Sequence, residues 1–293
     1  MNFSLPTDPH ELEWLTQITI NSHCSISTFG RSTQGFGVWY EATVSHLLAE
    51  TRHAKGYVYG GTLLPLLGAL SAIDQYGECY APIVSTFPSG EANKSGIIKA
   101  AHNFLGIPLN SPDSDALYAL RNSLMHQSSL ISVNQRGKAK HYWFEIDNSS
   151  NGLFVHAQSQ WDGKYNTRNN SNKTLVNASR VLELAVVLID KLKSDHAQGQ
   201  LKLELTNGLE ELLTAYVQLD FETSFQESYM KYLCNIIDRS LNSPPIGAEE
   251  AQKVLAKVSP MIVEQAALKL STMPGLGEEA LAKLVKAFPS VKT

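Results

Sequence analysis

The sequence predicts a mainly α fold: a helical bundle with one small antiparallel β-meander, followed by an all-helical C-terminal domain. Three observations lead there. Apolar residues recur at three- and four-residue spacing through most of the chain. That period gives way to short strand-like runs only between residues 130 and 157. Glycine and proline stop the periodic segments at their ends. With 43% hydrophobic and 18% charged residues over 293 positions, a sizeable core is available. The expected organisation is an N-terminal extension at 1–37, a helical domain with its meander at 38–195, and a helical C-terminal domain at 196–293.

In the extension, residues 12–20 fit a short helix or a strand, and periodicity does not decide between them. Gly35-Phe36-Gly37 lacks the strand–turn–helix frame of a phosphate loop and reads as a turn. Residues 38–50 are amphipathic, with Val44, Leu47 and Leu48 inward and His46 exposed. Residues 62–76 form the most apolar helix of the first half, through Leu63, Leu66, Leu67, Leu70 and Ile73, with Pro65 tolerated in its first turn. Asp74 near its end reads as an exposed carboxylate, although Arg121 or His126 lies within reach across a bundle. A loop is expected at 77–93 and a helix at 94–105, stopped by Gly106 and Pro108. His102 on that helix reads as structural or solvent-facing.

The next helix is the best marked. Ser111 can cap it, Pro112 suits its first turn, and Asp113 and Asp115 suit its positive end. Leu117, Leu120 and Leu124 mark its buried face. Strands are then expected at 130–133, 141–146 and 153–156, with turns between them. Residues 158–172 are polar and loop-like, and 176–192 make the closing helix. Beyond a boundary at 193–200, helices are expected at 209–219, 224–241, 249–257 and 260–270. Residues 273–288 resemble one helix-hairpin-helix motif, which offers glycine amides to a phosphate. Glu278 and Glu279 oppose an anion there, which favours a hairpin packed on protein.

Chemistry concentrates on the helix around residue 121. Arg121 falls about 40° from Leu117 on an ideal wheel, between apolar neighbours, where arginine needs a partner. Asn122 and His126 are four apart and lie over one another. This set suits cleavage of an RNA backbone: a histidine moves the 2′-hydroxyl proton while a guanidinium steadies the phosphate, with no metal required. By spacing alone, an arginine followed five positions later by a histidine is common. From spacing alone, a surface histidine and a snorkelling arginine is the favoured account.

Arg121-Asn122-Ser123-Leu124-Met125-His126 resembles the Arg-Asn-x-x-x-His motif of the HEPN superfamily, and the resemblance covers about residues 38–195. It implies a HEPN-like helical bundle and a metal-independent endoribonuclease that leaves 2′,3′-cyclic phosphate ends. It also implies a homodimer in which two motif copies face one cleft. Arg121 would then bind phosphate, His126 handle the proton, and Asn122 orient substrate or His126. The dimer matters because Arg121 and His126 are about 140° apart on an ideal helix. Ser128 stands where some members carry tyrosine. The alternative expectation is a non-catalytic HEPN-like module that binds RNA, a nucleotide or a protein, including a regulatory protein partner. A third is a helical interaction protein whose motif matches by accident, with Arg121 paired to an internal carboxylate such as Asp74 and no cleft holding His126.

Net charge is −4 and the pI about 6.1, so any nucleic-acid contact must depend on a local patch. Arg136, Lys138 and Lys140, beside His141, Tyr142 and Trp143, offer one for single-stranded RNA. A solvated hairpin with its aromatics packed on the bundle explains the same residues, because neighbours on a strand cannot all face outward. Cys24, Cys79 and Cys234 are odd in number and lack disulfide or metal-ligand spacing. No cofactor pattern, leader or membrane-length apolar run is present, so a cytoplasmic protein without cofactor or membrane is expected.

Overall fold

The computed structural model describes residues 5–26, 31–33, 38–56, 61–88, 90, 93–133, 140–221, 224–229 and 231–233. Helices dominate, accompanied by short strands. In chain order they are α1 (Pro9–His23), β1 (Arg31–Thr33), β2 (Val38–Ala42), α2 (Thr43–Ala54), α3 (Leu63–Cys79), β3 (Tyr80–Pro82), α4 (Gly96–Leu105) and α5 (Pro112–Gln127). There follow β4 (Ile131–Ser132), β5 (Tyr142–Ile146), β6 (Phe154–Val155), β7 (Thr174–Val176), α6 (Ala178–Ala197), β8 (Leu201–Leu203), α7 (Gly208–Ala215) and β9 (Val217–Phe221). The helices expected at 249–257 and 260–270, most of that at 224–241, and the hairpin at 273–288 lie outside the described residues.

The chain forms two compact units. The smaller comprises Met1–Ile18, Thr33–Trp39 and Leu219–Thr293. Its described core is aromatic: the Trp14 ring lies 5.4 Å from Phe225, 5.3 Å from Tyr229 and 5.5 Å from Tyr232. The larger comprises Thr19–Ser32 and Tyr40–Gln218, and it holds α2 to α7.

In the larger unit α3 is the central helix, packed against α2, α4 and α6. Leu66, Leu70 and Ile73 are fully buried on it, as the apolar spacing requires. The helix runs past Tyr76 to Cys79, and β3 then pairs antiparallel with β8. Residues 12–20 lie within helix α1. The amphipathic segment at 38–50 is a strand, β2, that turns directly into α2. The segment after residue 196 is not all-helical, because β8 and β9 flank α7.

The sheet beside α5 is not a meander. Its order is β4-β5-β7-β6, with β7 inserted between the two strands expected to be neighbours. Phe144 of β5 pairs in parallel with Thr174, and Phe154 of β6 pairs antiparallel with Val176. A parallel pair needs a long connection, which residues 147–173 supply. Asn177 secures the junction. Its Oδ1 accepts the Arg180 N–H as the cap of α6, while Nδ2 donates to the Ser150 carbonyl at 2.6 Å.

One polar group deep in the larger unit makes its stability depend on pH. His23 is buried; its Nδ1 lies 2.8 Å from the Tyr80 hydroxyl and its Nε2 3.2 Å from the Gln75 amide. Burial pushes its pKa from 6.5 down to about 3. Between those values the unfolded chain binds a proton that the folded chain refuses. Stability is therefore complete above about pH 6.5 and falls by about 1.4 kcal/mol per pH unit below it. Denaturant titrations at pH 7 and 5.5 are expected to show this slope, and the His23→Gln variant to flatten it. An equal slope in both proteins would contradict it.

Candidate functional site

α5 forms as its sequence dictates. The Ser111 side chain accepts the Ser114 N–H at 3.2 Å, Pro112 opens the first turn, and Leu117, Leu120 and Leu124 are buried. The helix ends at Ser128, which is left-handed at φ 50°, with its N–H bonded to the Leu124 carbonyl. This frame presents Arg121, Asn122 and His126 within the last turns.

The three side chains meet. Arg121 Nη1 donates to Asn122 Oδ1 at 2.9 Å and lies 3.0 Å from His126 Nε2. The 140° separation is overcome by the length of the arginine, since a wheel records only where a side chain leaves the axis. Arginine has no acceptor, so His126 Nε2 must be the acceptor, and the ring carries its proton on Nδ1. The Asn122 oxygen is engaged by Arg121; in this arrangement Asn122 orients the guanidinium rather than His126.

The opposite edge of Arg121 faces α3. Nε donates to Asp74 Oδ2 at 3.1 Å, and Nη2 donates to the same oxygen. Asp74 is therefore no exposed carboxylate: its side chain is 14% exposed and that of Arg121 20%. Its other oxygen accepts the Ile97 N–H, at the start of α4, at 2.9 Å. Four of the five guanidinium N–H groups are thus engaged, and one on Nη2 remains. Three helices contribute: α4 fixes Asp74, Asp74 fixes Arg121, and Arg121 holds the exposed His126.

Of the expected basic patch, the described residues include Lys140 alone. Lys140 donates to Asp115 of α5 at 2.9 Å, while Arg136 and Lys138 lie outside those residues. Tyr142 and Phe144 stack at 5.3 Å, with Phe144 buried, and Trp143 points to the other face of the strand. His102 Nε2 lies 3.1 Å from the Thr86 hydroxyl, and His46 pairs with Glu50 one turn along α2 at 3.2 Å. Neither contacts the motif.

Cys24 and Cys79 are buried free thiols, and burial raises the pKa of both. Among the described residues no group of three or more His, Cys, Asp and Glu side chains is placed to hold a metal ion. No helix among them is long and apolar enough to cross a membrane. No family model, no curated protein and no solved structure matches the chain.

Proposed function

We propose that α5 carries the cleavage centre of a metal-independent endoribonuclease, HEPN-like in motif and frame. The observation that supports it most is the 3.0 Å contact between Arg121 Nη1 and His126 Nε2, which puts a phosphate donor beside a proton acceptor. In the resting protein each occupies the other. A scissile phosphate that accepts the Nη1 proton frees the Nε2 lone pair next to it. The 2′-hydroxyl then passes its proton to Nε2 and its oxygen bonds phosphorus. The P–O5′ bond breaks, O5′ takes a proton from water, and the imidazolium returns its own proton to the hydroxide that is left. The products are a 2′,3′-cyclic phosphate and a 5′-hydroxyl.

A homodimer suits the same helix. Tyr118 and Met125, 44% and 41% exposed, flank Asn122 on the outer face of α5 and give a second copy an apolar contact beside the motif. The test is cleavage of a mixed-sequence RNA by purified protein in excess chelator, with the ends identified. Cyclic phosphate ends are expected, and 2′-deoxy substitution at the cleaved position should prevent reaction. Cleavage of the deoxy substrate at the same place would refute the mechanism.

A second reading has its own support. Asp74 neutralises Arg121, and Lys140 is paired with Asp115, so the described part of the site has little free positive charge. A non-catalytic RNA-, nucleotide- or protein-binding module fits that balance. RNA binding with a salt slope but no product would favour it.

A further inference from the structure

We propose that the sheet face turned away from α5 is a binding platform for single-stranded RNA, with Arg168 taking a phosphate and Tyr165 stacking a base. The proposal rests on the reading of this protein as one that acts on RNA. Its groups are separate from Arg121, Asn122 and His126.

Alternation along β5 sends Tyr142 and Phe144 to one face and Trp143 and Glu145 to the other. Above Trp143 sits the Arg168 guanidinium, 5.7 Å from its ring centre, 5.1 Å from that of Trp161 and 5.3 Å from that of Tyr165. Arginine held by three rings is costly to order and gains when its charge has a partner. Here no carboxylate among the described residues pairs with it, and its buried Nε–H has no acceptor. The neighbouring Lys173, by contrast, is paired with Glu145 at 2.8 Å. Arg168 therefore presents Nη groups without a counter-charge among the described residues.

The loop that carries it is built to hold still. Asp162 Oδ1 accepts the Lys164 N–H at 3.0 Å and also the Thr167 hydroxyl. Trp161, 1% exposed, donates its Nε1–H to the Lys164 carbonyl at 3.0 Å. The Asn172 amide donates to the Thr167 carbonyl at 2.9 Å, fixing the residue before Arg168. Tyr165 is 82% exposed beside this fixed cation. An exposed ring next to an anion-seeking guanidinium matches one phosphate and one unpaired base. A duplex keeps its bases stacked and cannot use the ring.

The platform lies near the proposed cleavage centre along the chain. Trp143 pairs with Ile131, five residues beyond His126. Five residues span at most about 18 Å, so a short link joins the motif helix to the strand that pairs with the platform strand.

The test uses the full chain and a labelled 2′-O-methyl oligouridine, which binds but lacks the attacking hydroxyl. Wild-type protein is expected to bind it in a salt-dependent way, and to bind the corresponding duplex at least about tenfold more weakly. Arg168→Ala should weaken binding about tenfold and lower the log–log salt slope by about 0.7. Tyr165→Ala should weaken binding about fivefold or more with the slope unchanged. Because Tyr165 is exposed, that variant should fold normally, which thermal melts will check. The platform is overturned if both variants bind as wild type, if the duplex binds equally well, or if no RNA binds. Cleavage by wild type with KM unchanged in both variants would sink the platform and leave the ribonuclease standing. Arg168-dependent binding without any cleavage would do the reverse.

Discussion

Replacing His126 by alanine is expected to lower RNA cleavage by about 10²–10⁴-fold and to leave the melting temperature unchanged. The ring is exposed, and its Nε2 is hydrogen-bonded to Arg121 Nη1. Removing it leaves the guanidinium bonded to Asp74 and Asn122, so nothing buried loses a partner. Arg121→Ala should abolish cleavage as well, but for two reasons. It removes the phosphate donor, and it strips Asp74 of its counter-charge, which costs about 2–4 kcal/mol for a pair this enclosed. Arg121→Lys separates the two. A lysine keeps the charge near Asp74, but it cannot reach Asp74, Asn122 and His126 together as a planar fork does. Cleavage is therefore expected to stay low in the lysine variant while stability largely returns. Single-turnover rates and melts on all three variants decide the matter; cleavage by His126→Ala at the wild-type rate would remove the imidazole from the mechanism.

How far this site is legible in the sequence depends on the range of the interactions that build it. α5 is legible because its cap, first-turn proline and leucine spacing are local. The contact of Arg121 with His126 is hidden by the helical wheel, which ignores side-chain length. Asp74 is hidden for another reason: a carboxylate near a helix end looks exposed until the element that covers it is known. Here that element is α4, which starts 22 residues on at Gly96, and its approach depends on two glycines with no periodic signature. β7 is three residues long and follows an asparagine-rich run, so neither propensity nor pattern separates it from loop or from the next helix. Arg168 and Trp161 sit in a segment whose average polarity reads as loop. The signal there was the Asp162-Gly163 turn beside a lone tryptophan, with Gly163 left-handed at φ 83°.

The two glycines lead to the largest expected loss of stability. A Cβ on Gly77 would lie 1.9 Å from the Gly96 carbonyl oxygen, and one on Gly96 would lie 1.9 Å from the Asp74 carbonyl oxygen. Both obstacles are backbone, which cannot rotate aside as a side chain can. The only relief is to push α3 and α4 apart along their most extensive contact. Gly96→Ala and Gly77→Ala are each expected to destabilise the protein by about 3 kcal/mol or more, lowering the melting temperature by about 6–12 °C. Gly90→Ala is the control, since a Cβ there meets nothing within 4 Å; it should change stability by less than about 0.5 kcal/mol. The consequence reaches the site by a short route. The same close approach brings the Ile97 N–H to within 2.9 Å of Asp74 Oδ1. Separating the helices frees that carboxylate, and with it the edge of Arg121 that sets where Nη1 points. Whatever Gly96→Ala protein remains folded should therefore cleave RNA more slowly, with a larger loss in kcat than in KM, because positioning is lost while charge is retained. A Gly96→Ala protein as stable as wild type would show that the helices do not approach so closely, and would take the support for Asp74 away with it.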